Sequence, residues 1–240
     1  MRRLLLVPII HSQEDMGSTG PALAERSAAL VEERRWQLHG ETMHRFWENV
    51  RACLSSLDPR QLRVYQDGLP TGGEPGRRIV ARAAEQGSEN YRLILELLNA
   101  GAHLRPTEDP ALLLQEHQTV SGLMRRGAAQ SGPGSGTSPE QRDSLMESRD
   151  RSIARAIDAT LGPGEVGVLF IGAYHRVESY LAKDIAVEAI KDPQQVREYF
   201  KELFLDRPPE AGRLAELTRY LGSPVTVAHT GPNKGPTPSR

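Results

Sequence analysis

The chain is poor in cysteine, in net charge and in long apolar runs. Its 240 residues include one cysteine, Cys53, which excludes an internal disulfide framework and any zinc site built from several cysteines. Lysine and arginine number 30 against 31 aspartate and glutamate, so there is no general electrostatic attraction to nucleic acid or to an anionic membrane. The longest apolar run, residues 4–10, is far shorter than the ~20 residues that cross a bilayer. We therefore predict a protein with no nucleic-acid partner and no membrane partner.

The N-terminus has the charge and apolar character of a short signal peptide, with Arg2 and Arg3 before an apolar run. The run is at the minimum length for such a signal, and polar residues 11–15 follow where a cleavage site needs small residues. A short apolar segment bounded by polar residues is typical of a buried strand. We therefore expect a first strand at 3–10 and a cytoplasmic location.

Strands and helices alternate along the rest of the chain. Apolar runs predict further strands at 62–65, 166–171 and 185–187. Helical spacing and capping residues predict helices within 22–57 (with a break at Gly40) and at 78–84, 90–98, 112–124, 139–161, 177–182, 193–204 and 210–221. This alternation predicts an α/β fold, a mixed central sheet with flanking helices. The composition indicates one domain over 1–221, with a flexible linker near 127–138 and a disordered tail at 222–240.

Two of the predicted strands run into a histidine. His11 follows the first strand, and His175 follows the strand at 166–171. In open α/β sheets the ligand crevice lies beyond the carboxyl ends of the strands, so the two imidazoles meet there if the strands are neighbours. The alternative is that each histidine ends its strand and hydrogen-bonds a loop.

Carboxylates accompany the first histidine at three and four residues, as Glu14 and Asp15. Two histidines and a carboxylate form a common shell for a divalent metal, which activates water near neutral pH. The alternative is that these carboxylates cap the following helix. Glu108 and Asp109, before Pro110, are a further candidate pair, although helix capping also explains them.

The helix predicted at 139–161 carries two charges on its apolar face. At 100° per residue, Arg149 and Asp150 lie among the apolar side chains of that helix. Charges on a core-facing surface are costly unless they are paired or functional. Either the two residues form a structural network with loops, or Arg149 points into the crevice and stabilises negative charge on a substrate or transition state.

These segments together resemble the TraB/Tiki group. The resemblance rests on Glu-Ser-Arg-Asp-Arg-Ser-Ile-Ala at 147–154, followed by an apolar strand and Ile-Gly-Ala-Tyr-His at 171–175. The group is similar to the ChaN-like haem-binding proteins and the erythromycin-esterase-like proteins in having a Gly-x-x-His motif after an early strand and another after a late one. Residues 172–175 match the second motif fully, whereas residues 8–11 have Pro8 where glycine is expected.

The resemblance implies a mixed α/β fold with both motifs in one cleft, and metal-dependent peptidase or esterase activity in some members. It implies that His11 and His175, with Glu14 or Asp15, hold a divalent ion such as Mn, Co or Zn. The substrate would be a peptide or a small molecule.

The remaining site residues are assigned on the same resemblance. Arg149 would steady the oxyanion, while Gly172 and Tyr174 would contact the cofactor or the substrate. The alternative function is a non-catalytic protein of the same fold that binds a small ligand such as haem, or serves as a scaffold, and the Pro8 departure favours it. The oligomeric state is left open.

Overall fold

The computed structural model describes residues 1–9, 33–128, 138–205, 212–225 and 227. Five strands form one sheet in the order β3-β2-β4-β1-β5, and every described pairing is parallel. The strands are β1 (Arg2–Ile9), β2 (Leu62–Gln66), β3 (His103–Arg105), β4 (Val166–Gly172) and β5 (Ile185–Ala189). The α/β class is confirmed, but the expected mixed sheet is parallel, because each connection crosses over and returns the chain in the same direction.

Seven α-helices lie in the described part of the chain. They are α1 (Glu33–Ser55), α2 (Gly73–Glu85), α3 (Glu89–Asn99), α4 (Pro110–Ala128), α5 (Pro139–Thr160), α6 (Pro193–Leu203) and α7 (Arg213–Leu221). Short 3-10 turns occur at Pro59–Gln61 and Val177–Tyr180. None of the described helices is long and apolar enough to cross a membrane.

The sheet buries a different set of side chains on each face, because successive residues of a strand point to opposite sides. Leu5 and Val7 of β1 pack into a core with α1, α3, α6 and α7. Leu4 and Leu6 pack on the other face with Ile153 and the rest of the apolar stripe of α5. β1 pairs with β4 and β5 along its two edges, and the two cores cover both of its faces, as the continuous apolar run predicts.

The start of α5 follows from its sequence. Ser138 accepts a hydrogen bond from the backbone of Gln141, whose side chain accepts one from the backbone of Ser138, and Pro139 occupies the first turn. This capping box satisfies donors that the first turn leaves free. The predicted start of this helix at residue 139 is therefore confirmed.

Several expectations differ from the structure. α1 continues through Gly40 without a break, the segment predicted as a helix from Val177 is a 3-10 turn, and β3 was not predicted. The composition predicts a disordered tail at 222–240, but Val227 is buried in the core. Burial of an apolar side chain in the core is favourable even when the side chain belongs to a segment rich in Pro and Gly. Most of the predicted linker (129–137) lies outside the described residues.

Candidate functional site

The carboxyl ends of three neighbouring strands meet at one edge of the sheet. Ile9 of β1 pairs with Gly172 of β4, and Gln66 of β2 pairs with Phe170. Asp67 follows β2 directly, and its backbone N–H donates to the carbonyl of Phe170 at 2.8 Å. Its Oδ2 accepts from the backbone N–H of Gly172 at 3.1 Å. Backbone groups at the end of β4 thus hold Asp67, the residue that follows β2, and fix the position of its carboxylate.

The imidazole of His175 lies between two aspartates. Its Nδ1 is 2.5 Å from Oδ1 of Asp150, and its Nε2 is 3.4 Å from Oδ2 of Asp67. Asp150 is in turn held by the backbone N–H of Arg176, which donates to its Oδ2 at 2.8 Å. The side chain of His175 is 4% exposed, so these contacts lie away from bulk water.

These contacts favour the charged form of the ring. Burial opposes the charge on His175, but the hydrogen bond with Asp150 and the nearby negative charge of Asp67 outweigh that effect and raise its pKa to about 9. The metal-free protein therefore carries an imidazolium at neutral pH. Nδ1–H then donates to Asp150, while Nε2 faces the carboxylate of Asp67 at the ion-pair distance of 3.4 Å.

Arg149 is surrounded by carboxylates. Its Nη2 lies 2.6 Å from Oδ1 of Asp67 and 2.6 Å from Oε1 of Glu108, and its Nη1 contacts Glu116 of α4. Arg149 is 3% exposed, and a buried charge of this kind is stable only when it is paired. The network that the helix periodicity suggested is present, and it joins α5 to the segments that follow β2 and β3.

Glu108 is the most deeply buried acid of this group, with a fully buried side chain. Burial raises its pKa, although Arg149 acts in the opposite direction. The loop that carries it is tied to the end of β2, since the backbone N–H groups of Thr107 and Glu108 both donate to the carbonyl of Leu69. The hydroxyl of Thr107 also donates to the carbonyl of Gln66.

Together these side chains form a charged cluster at the carboxyl edge of the sheet, which we call the edge cluster: Asp67, Glu108, Glu116, Arg149, Asp150 and His175. When all members are ionised it contains four carboxylates and two cations. The cluster then has a net negative charge, which favours a further cation nearby.

The sequence-predicted site residues are only partly described. His175, Arg149 and Gly172 all lie at the edge cluster, Gly172 through its backbone N–H. Tyr174 is 67% exposed, next to His175 in the chain. The other predicted site residues lie outside the described part of the chain: His11, Glu14 and Asp15. Within the described residues, no group of three or more His, Cys, Asp or Glu side chains is arranged to hold a metal ion.

Asp67 and Glu116 belong to the site but were not predicted as site residues. Asp67 follows β2 directly, so the rule that places ligands at strand ends could have found it. Glu116 lies within α4, and nothing in the local pattern marks it. Of the pair before Pro110, Asp109 caps α4 through the backbone of Ala111, whereas Glu108 belongs to the edge cluster.

The fold and the site define an α/β protein with a parallel sheet and a buried imidazole, guanidinium and carboxylate cluster at its carboxyl edge. Comparison with family models, with curated proteins and with solved structures finds no match for this chain.

Proposed function

We propose that the protein is a metal-dependent hydrolase of the peptidase or esterase type, with the edge cluster at its centre. The observation that carries the proposal is the environment of His175. One ring nitrogen is held by Asp150, and the other faces an oxygen of Asp67 at 3.4 Å. The resemblance to the TraB/Tiki and ChaN-like proteins, through residues 147–154 and 171–175, supports the same assignment.

The chemistry of His175 and Asp67 fits a divalent ion. The 3.4 Å separation of Nε2 and Oδ2 is long for a hydrogen bond. Two ligand atoms of one tetrahedral zinc ion, each about 2.0–2.1 Å from the metal, lie about 3.3 Å apart. A metal-bound histidine usually donates its other ring N–H to a carboxylate, which is the position of Asp150.

Further ligands would come from the segment after β1. β1 ends beside β4, where Ile9 pairs with Gly172, and His11 follows Ile9 by two residues. We propose His11, with Glu14 or Asp15, as the remaining protein ligands.

A bound divalent ion would supply a water of lowered pKa and would polarise a substrate carbonyl. The chain's own residues orient the ligands: Asp150 fixes the plane of the His175 ring, and Arg149 with the N–H of Gly172 fixes the carboxylate of Asp67. Glu108 and Glu116 hold Arg149 in place. These contacts make Arg149 a positioning residue, and its contact with an oxyanion stays a prediction.

The test is elemental analysis of protein purified without chelator. We expect about one Mn, Co or Zn ion per chain, and we expect His175→Ala and Asp67→Asn to lose it. His103→Ala is the matched control, because His103 is exposed at the first residue of β3, at the end of the strand opposite the carboxyl edge. A folded His175→Ala protein with unchanged metal content would refute the ligand assignment.

Activity is tested with p-nitrophenyl acetate and with a mixed peptide pool, after chelation and after each metal is restored. Metal-dependent hydrolysis that is absent from His175→Ala would support the proposal. An absorbance spectrum with a haem band, and no divalent metal, would instead identify the ligand-binding alternative.

A further inference from the structure

A second arginine approaches the end of β4 from the opposite face of the sheet. Arg197 lies on α6, and its Nη1 donates to the carbonyl of Ala173 at 2.5 Å. Ala173 lies between Gly172, which binds Asp67, and His175. The guanidinium therefore lies against the loop that carries the site histidine.

Arg197 differs from Arg149 in its partners. Arg149 is bonded to three carboxylates, whereas the described residues offer Arg197 no carboxylate and no hydrogen-bond acceptor other than Ala173. The adjacent acid on α6, Glu198, is held by Arg213. A guanidinium has five N–H donors, so four remain for other acceptors.

The first turn of α6 also borders the site. A cavity of about 10 Å³, with room for a single water molecule, is lined by His175, Ala173 and Pro193 together with apolar side chains. Pro193 and Arg197 are one helical turn apart, so they share a face of α6. Arg197 is partly exposed, so an arriving ligand can reach it.

We propose that Arg197 binds an oxyanion group, a carboxylate or a phosphate, on the molecule that occupies the site beside His175. The planar fork of arginine matches both groups and makes two parallel hydrogen bonds to either. The inference rests on the proposed function and assigns its substrate class: an anionic substrate whose charged group binds Arg197, beside the loop that carries His175, rather than the negatively charged edge cluster.

The test uses benzoate and phenyl phosphate as anionic probes and benzamide as the neutral isostere of benzoate. Binding is measured by saturation-transfer NMR in EDTA, so that no metal can bind the probes. We expect at least one anion to bind about tenfold or more tightly than benzamide, and Arg197→Gln to remove that preference. The tighter of the two anions identifies the group.

Arg219→Gln is the matched control, because Arg219 is exposed and also donates to a backbone carbonyl, that of Ala215. It should leave anion binding unchanged. Arg197→Lys keeps the charge but loses the fork, and it should bind the anion more weakly than the wild type. It also provides a second variant if circular dichroism shows that Arg197→Gln is unfolded.

Equal binding of anions and benzamide, or unchanged anion binding in folded Arg197→Gln, would overturn the inference. Because the titration is done without metal, its outcome is independent of the metal analysis. Anion binding through Arg197 in a protein that holds no metal would refute the hydrolase and retain the oxyanion site.

Discussion

Two aspartates have different tasks around one imidazole. Asp67 faces Nε2, where we place the metal, while Asp150 binds Nδ1 and orients the ring. We expect Asp150→Asn to weaken metal binding by about 10- to 100-fold, the usual effect of losing such an orienting partner, and Asp67→Asn to weaken it further. Competition with a fluorescent chelator measures both. Asp143→Asn, on the exposed side of α5, is the control, and equal affinity of Asp150→Asn and this control would contradict the assignment.

Arg149 is the counter-ion of the buried acids. Arg149→Met would leave Glu108 and Asp67 in the interior without their cation, so we expect a loss of about 3–5 kcal/mol in the free energy of unfolding. Adding Glu108→Gln should recover part of that loss, since one buried charge is removed. Urea denaturation measures both variants. Arg151→Met, which removes an exposed pair with Glu147, should change stability by no more than about 0.5 kcal/mol.

His39 makes stability depend on pH. Burial lowers its pKa to about 4 in the folded protein, below the ordinary histidine value of 6.5. The unfolded chain then binds a proton more readily between these values, so the contribution of His39 to stability is greatest above pH 6.5 and falls as the pH drops toward 4. We expect the His39 contribution to cost about 1–2 kcal/mol at pH 5 relative to pH 8.

His39→Asn tests this contribution, because asparagine can keep a hydrogen bond to the hydroxyl of Tyr199, which lies 3.1 Å from Nδ1. The difference in unfolding free energy between pH 8 and pH 5 should be smaller in this variant than in the wild type. His44→Asn, on the exposed side of the same helix, is the comparison. An identical pH dependence of wild type and His39→Asn would refute the burial argument.

Among the helices, two glycines have opposite environments. Gly40 lies within α1 with open space around it, so a methyl group there meets nothing. We expect Gly40→Ala to stabilise the protein by about 0.5–1 kcal/mol, because alanine loses less backbone entropy in a helix. At Gly76 a methyl group would collide with the backbone carbonyl of Thr71. Gly76→Ala should therefore destabilise the protein, and thermal unfolding of the two variants would show shifts of opposite sign.

Element positions were predictable wherever the local pattern is long. The continuous apolar runs identified β1 and β4, and Ser138 with Pro139 identified the start of α5. β3 has only three residues, which is too short for a periodic signal, so the position of Glu108 at a strand end could not be recognised.

The site was predictable only in part for a related reason. His175 at a strand end, and Arg149 with Asp150 on an apolar helix face, are local signals that the sequence contains. No local signal marks the partners of these residues. Asp67 reaches His175 because β2 lies next to β4, and Glu116 reaches Arg149 because α4 packs beside α5. Strand order and helix packing depend on contacts between distant segments, which periodicity does not encode.

For the molecule as a whole, the chain after α7 packs against the core that contains α1. The amide of Asn49 on α1 donates to the carbonyl of Gly222, and Val227 is buried in the same core. The ammonium of Lys191, itself 3% exposed, donates to Tyr220 and to both the carbonyl and the hydroxyl of Ser223. Residues 222–225 and 227 thus join α1, α7 and the residues that follow β5.

Deleting residues 223–240 should therefore destabilise the whole domain. The deletion removes the burial of Val227 and leaves the ammonium of Lys191 with the carbonyl of Tyr220 as its remaining partner among those contacts, so we expect a loss of about 3–5 kcal/mol in urea denaturation. Val227→Ala alone should cost about 1–2 kcal/mol, whereas Val187→Ala, at a valine 37% exposed on β5, should cost less. A truncated protein as stable as the full chain would show that the core closes without this segment.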